Sequence, residues 1–360
     1  MPYLYLVTKK PSKSALSEVP GVDAQASLNP NLKQRNIKRK QIDVESTLEK
    51  LLAGDRTALS QAITLVESTR PSDFPTADKL VQACLEHSGK SIRIGITGVP
   101  GVGKSTFVER FGLEWIEKNH KVAVLAVDPS SAKTGGSILG DKTRMNRLSQ
   151  NENAFIRPSP SAGSLGGVAR KTRETMILCE AAGYDIILVE TVGVGQSETS
   201  VKRMVDLFAL LLLPGAGDEL QGIKRGIMEM ADLILLNKAD SGQERKAQLA
   251  AAEVRRALKL YPDDPRGWTI PVEPISAVEG TNIPEVIDEI EKFRRHMELK
   301  GHWHELRSSQ ALWWLDDTIG ELLHSYWLQQ GDNATRLSEV KAKVQSGEMS
   351  PLAGARRLFG

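Results

Sequence analysis

The stretch that decides the fold runs from Ile92 to Glu109: IRIGITGVPGVGKSTFVE. An apolar, β-branched run leads into GVPGVGKS at 98–105, and a helical pattern leads out of it. Strand, glycine-rich turn and helix, in that order, are the context a phosphate-binding loop requires. Gly98, Gly101 and Gly103 open backbone conformations that let successive N–H groups face one anion. The helix starting near Lys104 adds its positive dipole end. Lys104 brings a point charge for the β- and γ-phosphates, and the Ser105 hydroxyl is placed to bind Mg²⁺. The expected phosphate contacts are therefore Gly98, Val99, Pro100, Gly101, Val102, Gly103, Lys104, Ser105 and Thr106.

A chain of 360 residues leaves room for two domains, or for one large domain with attachments. Its 40% hydrophobic and 26% charged content describes a globular protein with enough apolar mass for a core. A net charge of +2 makes no case for nucleic acid or an anionic membrane as partner. Cys84 and Cys179, the two cysteines, each sit in a helical pattern, so packed core thiols in a reducing compartment are expected rather than a disulfide. The longest apolar run, around Leu207 to Leu213, has the length of a strand and ends at Pro214, too short to span a bilayer. The start of the chain lacks the apolar stretch of a signal peptide, and Glu18 and Asp23 argue against a transit peptide. A cytoplasmic location is expected, or the mitochondrial matrix in a eukaryote.

Residues 1–42 are rich in Pro, Ser and Lys and read as a poorly structured basic tail. Residues 43–90 carry three helical patterns that pack as a cap on the main domain. Residues 91–300 alternate strands and helices. Strands are expected at 92–97, 122–127, 186–190, 207–213, 233–236 and 272–275. Near-continuous apolar strands between amphipathic helices imply an α/β fold with a mainly parallel sheet flanked by helices. Its ligands bind beyond the carboxyl ends of the strands. In 301–360, a leucine stripe reinforced by Trp313, Trp314 and Trp327 marks a long helix that folds back or, as we favour, pairs with another chain.

The remaining chemistry lies at the ends of the strands. Asn237-Lys238-Ala239-Asp240 comes after 233–236, and the acceptor-only carboxylate of Asp240 matches the two donors on the guanine edge. Ser276-Ala277-Val278 comes after the next strand and brings backbone N–H groups to guanine O6. Asp128 and Glu190 end two strands and converge on Mg²⁺ and the attacking water, Glu190 as the Walker-B acid and Asp128 as the residue that orients water. Gly193 is free to donate its N–H to the γ-phosphate. Polar, glycine-rich loops at 130–144, 194–200 and 214–224 suit switches. Asp141 joins the metal shell, and Lys142, Arg144 and Lys224 are the cations that could neutralise transition-state charge. His296, His302 and His304 lack the companion ligands of a metal site.

The motifs GITGVPGVGKST, VDPSSAKTGGSILGDKTRM, VETVGVGQSE, PGAGDELQGIK and LNKAD resemble those of the MeaB / methylmalonic aciduria type A GTPases, whose relatives are also known as ArgK-type transport kinases. The resemblance covers roughly residues 44–360. It implies a homodimeric GTPase of the signal-recognition-particle (SIMIBI) class of P-loop proteins. Such proteins act as chaperones that gate adenosylcobalamin loading and protect a B12-dependent acyl-CoA mutase, usually methylmalonyl-CoA mutase. It also implies a third switch loop matching 215–224 and a C-terminal dimerisation arm matching 301–360. Two alternatives compete. A nickel-insertion GTPase would need a Cys/His site near the switches, and Cys84 and Cys179 are not spaced for one. An amino-acid transport kinase fits poorly with a guanine-reading NKxD.

Overall fold

The computed structural model describes residues 42–127, 145–158, 165–191, 197–215 and 225–359. Asp43–Gly360 forms one compact unit. Its centre is a seven-stranded sheet in the order β3-β2-β4-β1-β5-β6-β7. The strands are β1 (Ile92–Gly98), β2 (Val122–Val127), β3 (Ala154–Arg157), β4 (Ile186–Thr191), β5 (Leu207–Leu212), β6 (Leu233–Leu236) and β7 (Val272–Pro274), and each pairs with its neighbours in parallel. β1, β2, β4, β5 and β6 are buried along their whole length, which explains their unbroken apolar sequences.

Helices cover both faces. On one, α4 (Lys104–Glu117) brings Phe107, Phe111 and Trp115 against the sheet beside Val286, Ile290 and Phe293 of a later helix, 283–299. On the other, α1 (Val44–Leu52), α2 (Arg56–Val66) and α3 (Phe74–Cys84) share a core with α6 (Leu165–Ala181). Asp43 and Asp55 start α1 and α2 by accepting first-turn N–H bonds. Cys84 and Cys179 are fully buried free thiols here, as their helical setting suggested.

Six strands lie within a residue or so of their expected limits. Three short elements were not anticipated: β3, α5 (Asn146–Ser149) and α7 (Ser197–Lys202). β3 has four residues and α5 less than two turns, too little for a period to show. α7 takes up the end of the 194–200 segment, expected to be loop throughout. The chain continues through α8 (Arg225–Met230), α9 (Glu244–Leu258) and α10 (Ile283–Leu299) to α11 (His302–Gln329), α12 (Asn333–Gln345) and α13 (Pro351–Phe359).

α11 has 28 residues. Its first half folds back. Gln310 donates to the Val205 carbonyl at 2.7 Å, Trp314 to the Arg203 carbonyl at 3.1 Å, and Asp317 takes the Arg173 guanidinium at 3.0 Å. Its other face stays open, with Leu312, Leu315, Ile319, Leu322, Leu323 and Tyr326 all exposed.

Asp206, 1% exposed, locks this arrangement. It accepts the Arg93 backbone N–H at 2.7 Å and the Arg307 guanidinium at 2.6 Å, while its own N–H donates to the Arg93 carbonyl at 2.8 Å. Arg307 also donates to the Ser91 carbonyl at 2.9 Å. Asp206→Ala would take the bidentate carboxylate partner from a partly buried guanidinium and leave a strand N–H unpaired, with an expected loss of about 3 kcal/mol. Urea denaturation of wild type and variant measures it.

Candidate active site at the carboxyl end of the sheet

β1 is flanked by β4 and β5, and the chain order reverses there, so the loop after β1 opens at the crevice of the sheet. Gly103, in the left-handed region at φ 94°, precedes α4 and offers no side-chain cap. The first-turn N–H groups of α4 are thereby left without a side-chain cap, as anion binding requires. Lys104 is buried and donates to the carbonyls of Gly98 at 2.7 Å and Val99 at 3.3 Å. Burial pushes its ammonium below the ordinary lysine value, and Glu190 and Glu198 pull the other way. A dehydrated cation lying across a glycine loop is a strong attractor for phosphate.

Glu190 pairs in register with Ile96, which sets it beside the loop. Its Oε1 accepts the Ser105 hydroxyl at 3.2 Å. The Thr191 and Thr97 hydroxyls, 2.9 Å apart, tie the ends of β4 and β1 together. A hydroxyl and a carboxylate are the hard oxygen donors Mg²⁺ prefers, and Mg²⁺ takes few protein ligands beside phosphates and water, so these residues fit that ion.

The second half of the site grows from β6. Asn237, 2% exposed, donates from Nδ2 to the Val102 carbonyl at 2.8 Å and accepts the Ala277 N–H at Oδ1 at 3.1 Å. A Cβ on Gly103 would sit 2.7 Å from Asn237 Nδ2, so only glycine lets this contact close. Lys238 is exposed, with φ 65°. Asp240 is half-buried, and its Oδ2 accepts the Ser276 hydroxyl at 2.5 Å. The Ser276 hydroxyl in turn accepts the Glu279 N–H at 3.0 Å. Val278 is exposed at the rim.

The structure therefore brings Lys104, Ser105 and Glu190 together, and joins them through Asn237 to Asp240, Ser276 and Ala277. Asp128, Asp141, Lys142, Arg144, Gly193 and Lys224 lie outside the described residues. One residue was missed: Glu198 of α7, 2% exposed, whose charge reaches Lys104. Its segment, six residues of helix, is too short for a hydrophobic period to show. The three histidines do not converge. His296 bonds to the Arg266 carbonyl, His302 to Glu305 and His304 to Ser308. Among the described residues no group of three metal-capable side chains occurs. A groove of about 900 Å³ lies elsewhere, between α8, α9 and β7 with Tyr261 and Trp268 in its wall, and none of the site residues lines it.

Comparison with known proteins shows what the chain resembles. The family described as Methylmalonyl Co-A mutase-associated GTPase MeaB matches residues 59–331. Probable GTPase Rv1496 of Mycobacterium tuberculosis is 50% identical over 308 residues, 85% of this chain and 91% of that protein. GTPase ArgK of Escherichia coli is 44% identical over 312 residues, 87% of this chain and 94% of that protein. The mouse protein named methylmalonic aciduria type A homolog, mitochondrial, is 46% identical over 311 residues, 84% of this chain and 75% of its own. Among solved structures, an LAO/AO transport system kinase superposes with a TM-score of 0.70 at 37% identity, over 89% of this chain and 98% of that one. With the family model matching residues 59–331 and relatives 44% to 50% identical over most of both chains, the chain belongs to the MeaB family of GTPases.

Proposed function

We propose that the chain is a GTP-hydrolysing chaperone that gates adenosylcobalamin loading and protects or reactivates a B12-dependent acyl-CoA mutase, methylmalonyl-CoA mutase first among the clients. The observation that carries this reading is the match of 59–331 to a family described by its association with that mutase. A reducing compartment, cytoplasm or mitochondrial matrix, suits the two buried thiols.

In this reading the backbone of 98–106 and the Lys104 ammonium hold the phosphates. Asp240 accepts from the guanine edge, and the N–H groups of Ser276, Ala277 and Val278 supply donors to it, with Lys238 covering the base. Ser105 holds Mg²⁺ directly, with Glu190, Asp128 and Asp141 around it. That ion, when bound, neutralises charge on the β- and γ-phosphates. Glu190 and Asp128 orient water, Gly193 donates to the γ-phosphate, and Lys224 offsets charge in the transition state. The open face of α11 supports a homodimer: its exposed residues recur three and four apart, the spacing of a helix–helix seam.

Three outcomes test these assignments. Asp240→Asn swaps an acceptor for a donor, so GTP affinity should fall about tenfold to a hundredfold while xanthosine triphosphate gains, read by calorimetry. Leu315→Glu with Leu322→Glu should halve the mass seen by light scattering and leave the melting temperature of the monomer close to wild type. GTP hydrolysis should rise on adding methylmalonyl-CoA mutase and stay flat with ATP. GTP turnover that no B12-dependent mutase alters would remove the chaperone reading and leave the GTPase.

A further inference from the structure

The phosphate helix α4 meets the loops of the base site at two places, two turns apart. At the first, Gly103 leaves room for Asn237, whose amide nitrogen lies 2.7 Å from where a Cβ would stand. At the second, seven residues on, the partners are exchanged. The helix supplies the side chain, Arg110, and the loop supplies the glycine, Gly280. A Cβ on Gly280 would lie 2.6 Å from one terminal nitrogen of Arg110 and 2.7 Å from both Cζ and Nε. Three guanidinium atoms at nearly one distance set the flat face of the group against the Gly280 backbone. Gly280 is also left-handed, at φ 82°, so glycine is required there on two counts.

The other contacts of Arg110 are weak. Its Nε is buried and has no hydrogen-bond partner among the described residues. Its pair with Glu114 spans 3.6 Å, too long for a hydrogen bond, and the Arg110 side chain is 35% exposed, so that pair contributes little. What remains is the stack on Gly280, which uses the planar face that an ammonium lacks.

The loop under that stack is a closed turn. The Gly280 N–H donates to the Ser276 carbonyl at 2.8 Å, the Ser276 N–H to the Thr281 carbonyl at 3.1 Å, and the Glu279 N–H to the Ser276 hydroxyl at 3.0 Å. The Ala277 N–H is given to Asn237 Oδ1. Within 276–280 that leaves the Val278 N–H, at the exposed rim, as the donor without a bond among the described residues. Reading of guanine O6 therefore falls mainly on one donor. The turn that carries it is held by Asn237 and Asp240 on one side and by Arg110 at Gly280. A hydrogen bond weakens steeply as its angle closes, so a turn free to rock would lose that contact.

We propose that Arg110 is a positioning residue for guanine recognition: its guanidinium seats the 276–280 turn on the phosphate helix and thereby aims the Val278 N–H at the base. The proposal deepens the reading of this site as a GTP site and rests on it.

Calorimetric titration of GDP, IDP and ADP, each with Mg²⁺, into the full-length wild type, Arg110→Ala and Arg110→Gln tests it. IDP keeps the O6 of guanine and lacks its 2-amine, whereas ADP carries an amine in place of O6. In wild type GDP should bind most tightly and ADP least. Arg110→Ala should weaken GDP and IDP about tenfold, the scale of one good base contact, and leave ADP within about twofold. The preference for IDP over ADP then collapses. Arg110→Gln keeps a shorter planar group and should shift the same preference by a smaller factor, and it decides alone if the alanine variant does not fold. GDP and IDP affinities unchanged in both variants overturn the proposal. So does an equal fall for all three nucleotides, which marks a merely structural role in α4. No preference for GDP over ADP in wild type would instead remove the guanine reading, and the proposal with it.

Discussion

The site depends on one buried amide. Asn237 reaches from the end of β6 to the Val102 carbonyl in the phosphate loop and to the Ala277 N–H after β7. Three loops from three separate strands are thereby held in a single geometry. A buried amide that satisfies two backbone groups contributes about 1 kcal/mol per bond, and removing it would leave both groups unpaired at greater cost. The left-handed Gly103 belongs to the same constraint, because any side chain there would collide with the amide.

A second constraint acts at the opposite end of β1. Asp206 binds the Arg93 backbone and Arg307 together, so the long C-terminal helix is fastened to the root of the strand whose other end carries the phosphate loop. Arg93 itself pairs with Glu180 of α6 at 2.9 Å. The charges are buried, but each is bonded by an opposite charge or a backbone group, the condition under which buried charge is tolerated. The helix that offers the exposed leucine face is thus continuous with the sheet and not a loose appendage.

Much of this was legible in the sequence because its period is strong. Strands buried on both faces appear as plain apolar runs, and the glycine spacing of 98–105 sits between a strand and a helix. β3, α5 and α7 were not legible because each is too short for a hydrophobic period to develop. The partnership of Ser105 with Glu190 could be guessed from two strand ends, but the bracing role of Asn237 could not. Its tetrapeptide suggests base contact, while the structure turns its side chain inward to backbone. Glu198 escaped notice for a related reason: its segment reads as polar loop, while the helix that carries it packs against β1, remote in sequence. The fold-back of α11 was one of two open readings and not the favoured one, since Trp313 and Trp314 look alike as seam residues or as partners for arginines from other helices.

The most direct test of the account is calorimetric titration of GDP and ADP, with Mg²⁺, into the wild-type chain and Asn237→Ala. Wild type should bind GDP at least tenfold tighter than ADP. In the variant the affinity for GDP should fall about thirtyfold, the effect of roughly 2 kcal/mol from two backbone groups left unpaired. Equal affinity for GDP and ADP in the wild type, or GDP binding untouched by the substitution, would contradict it.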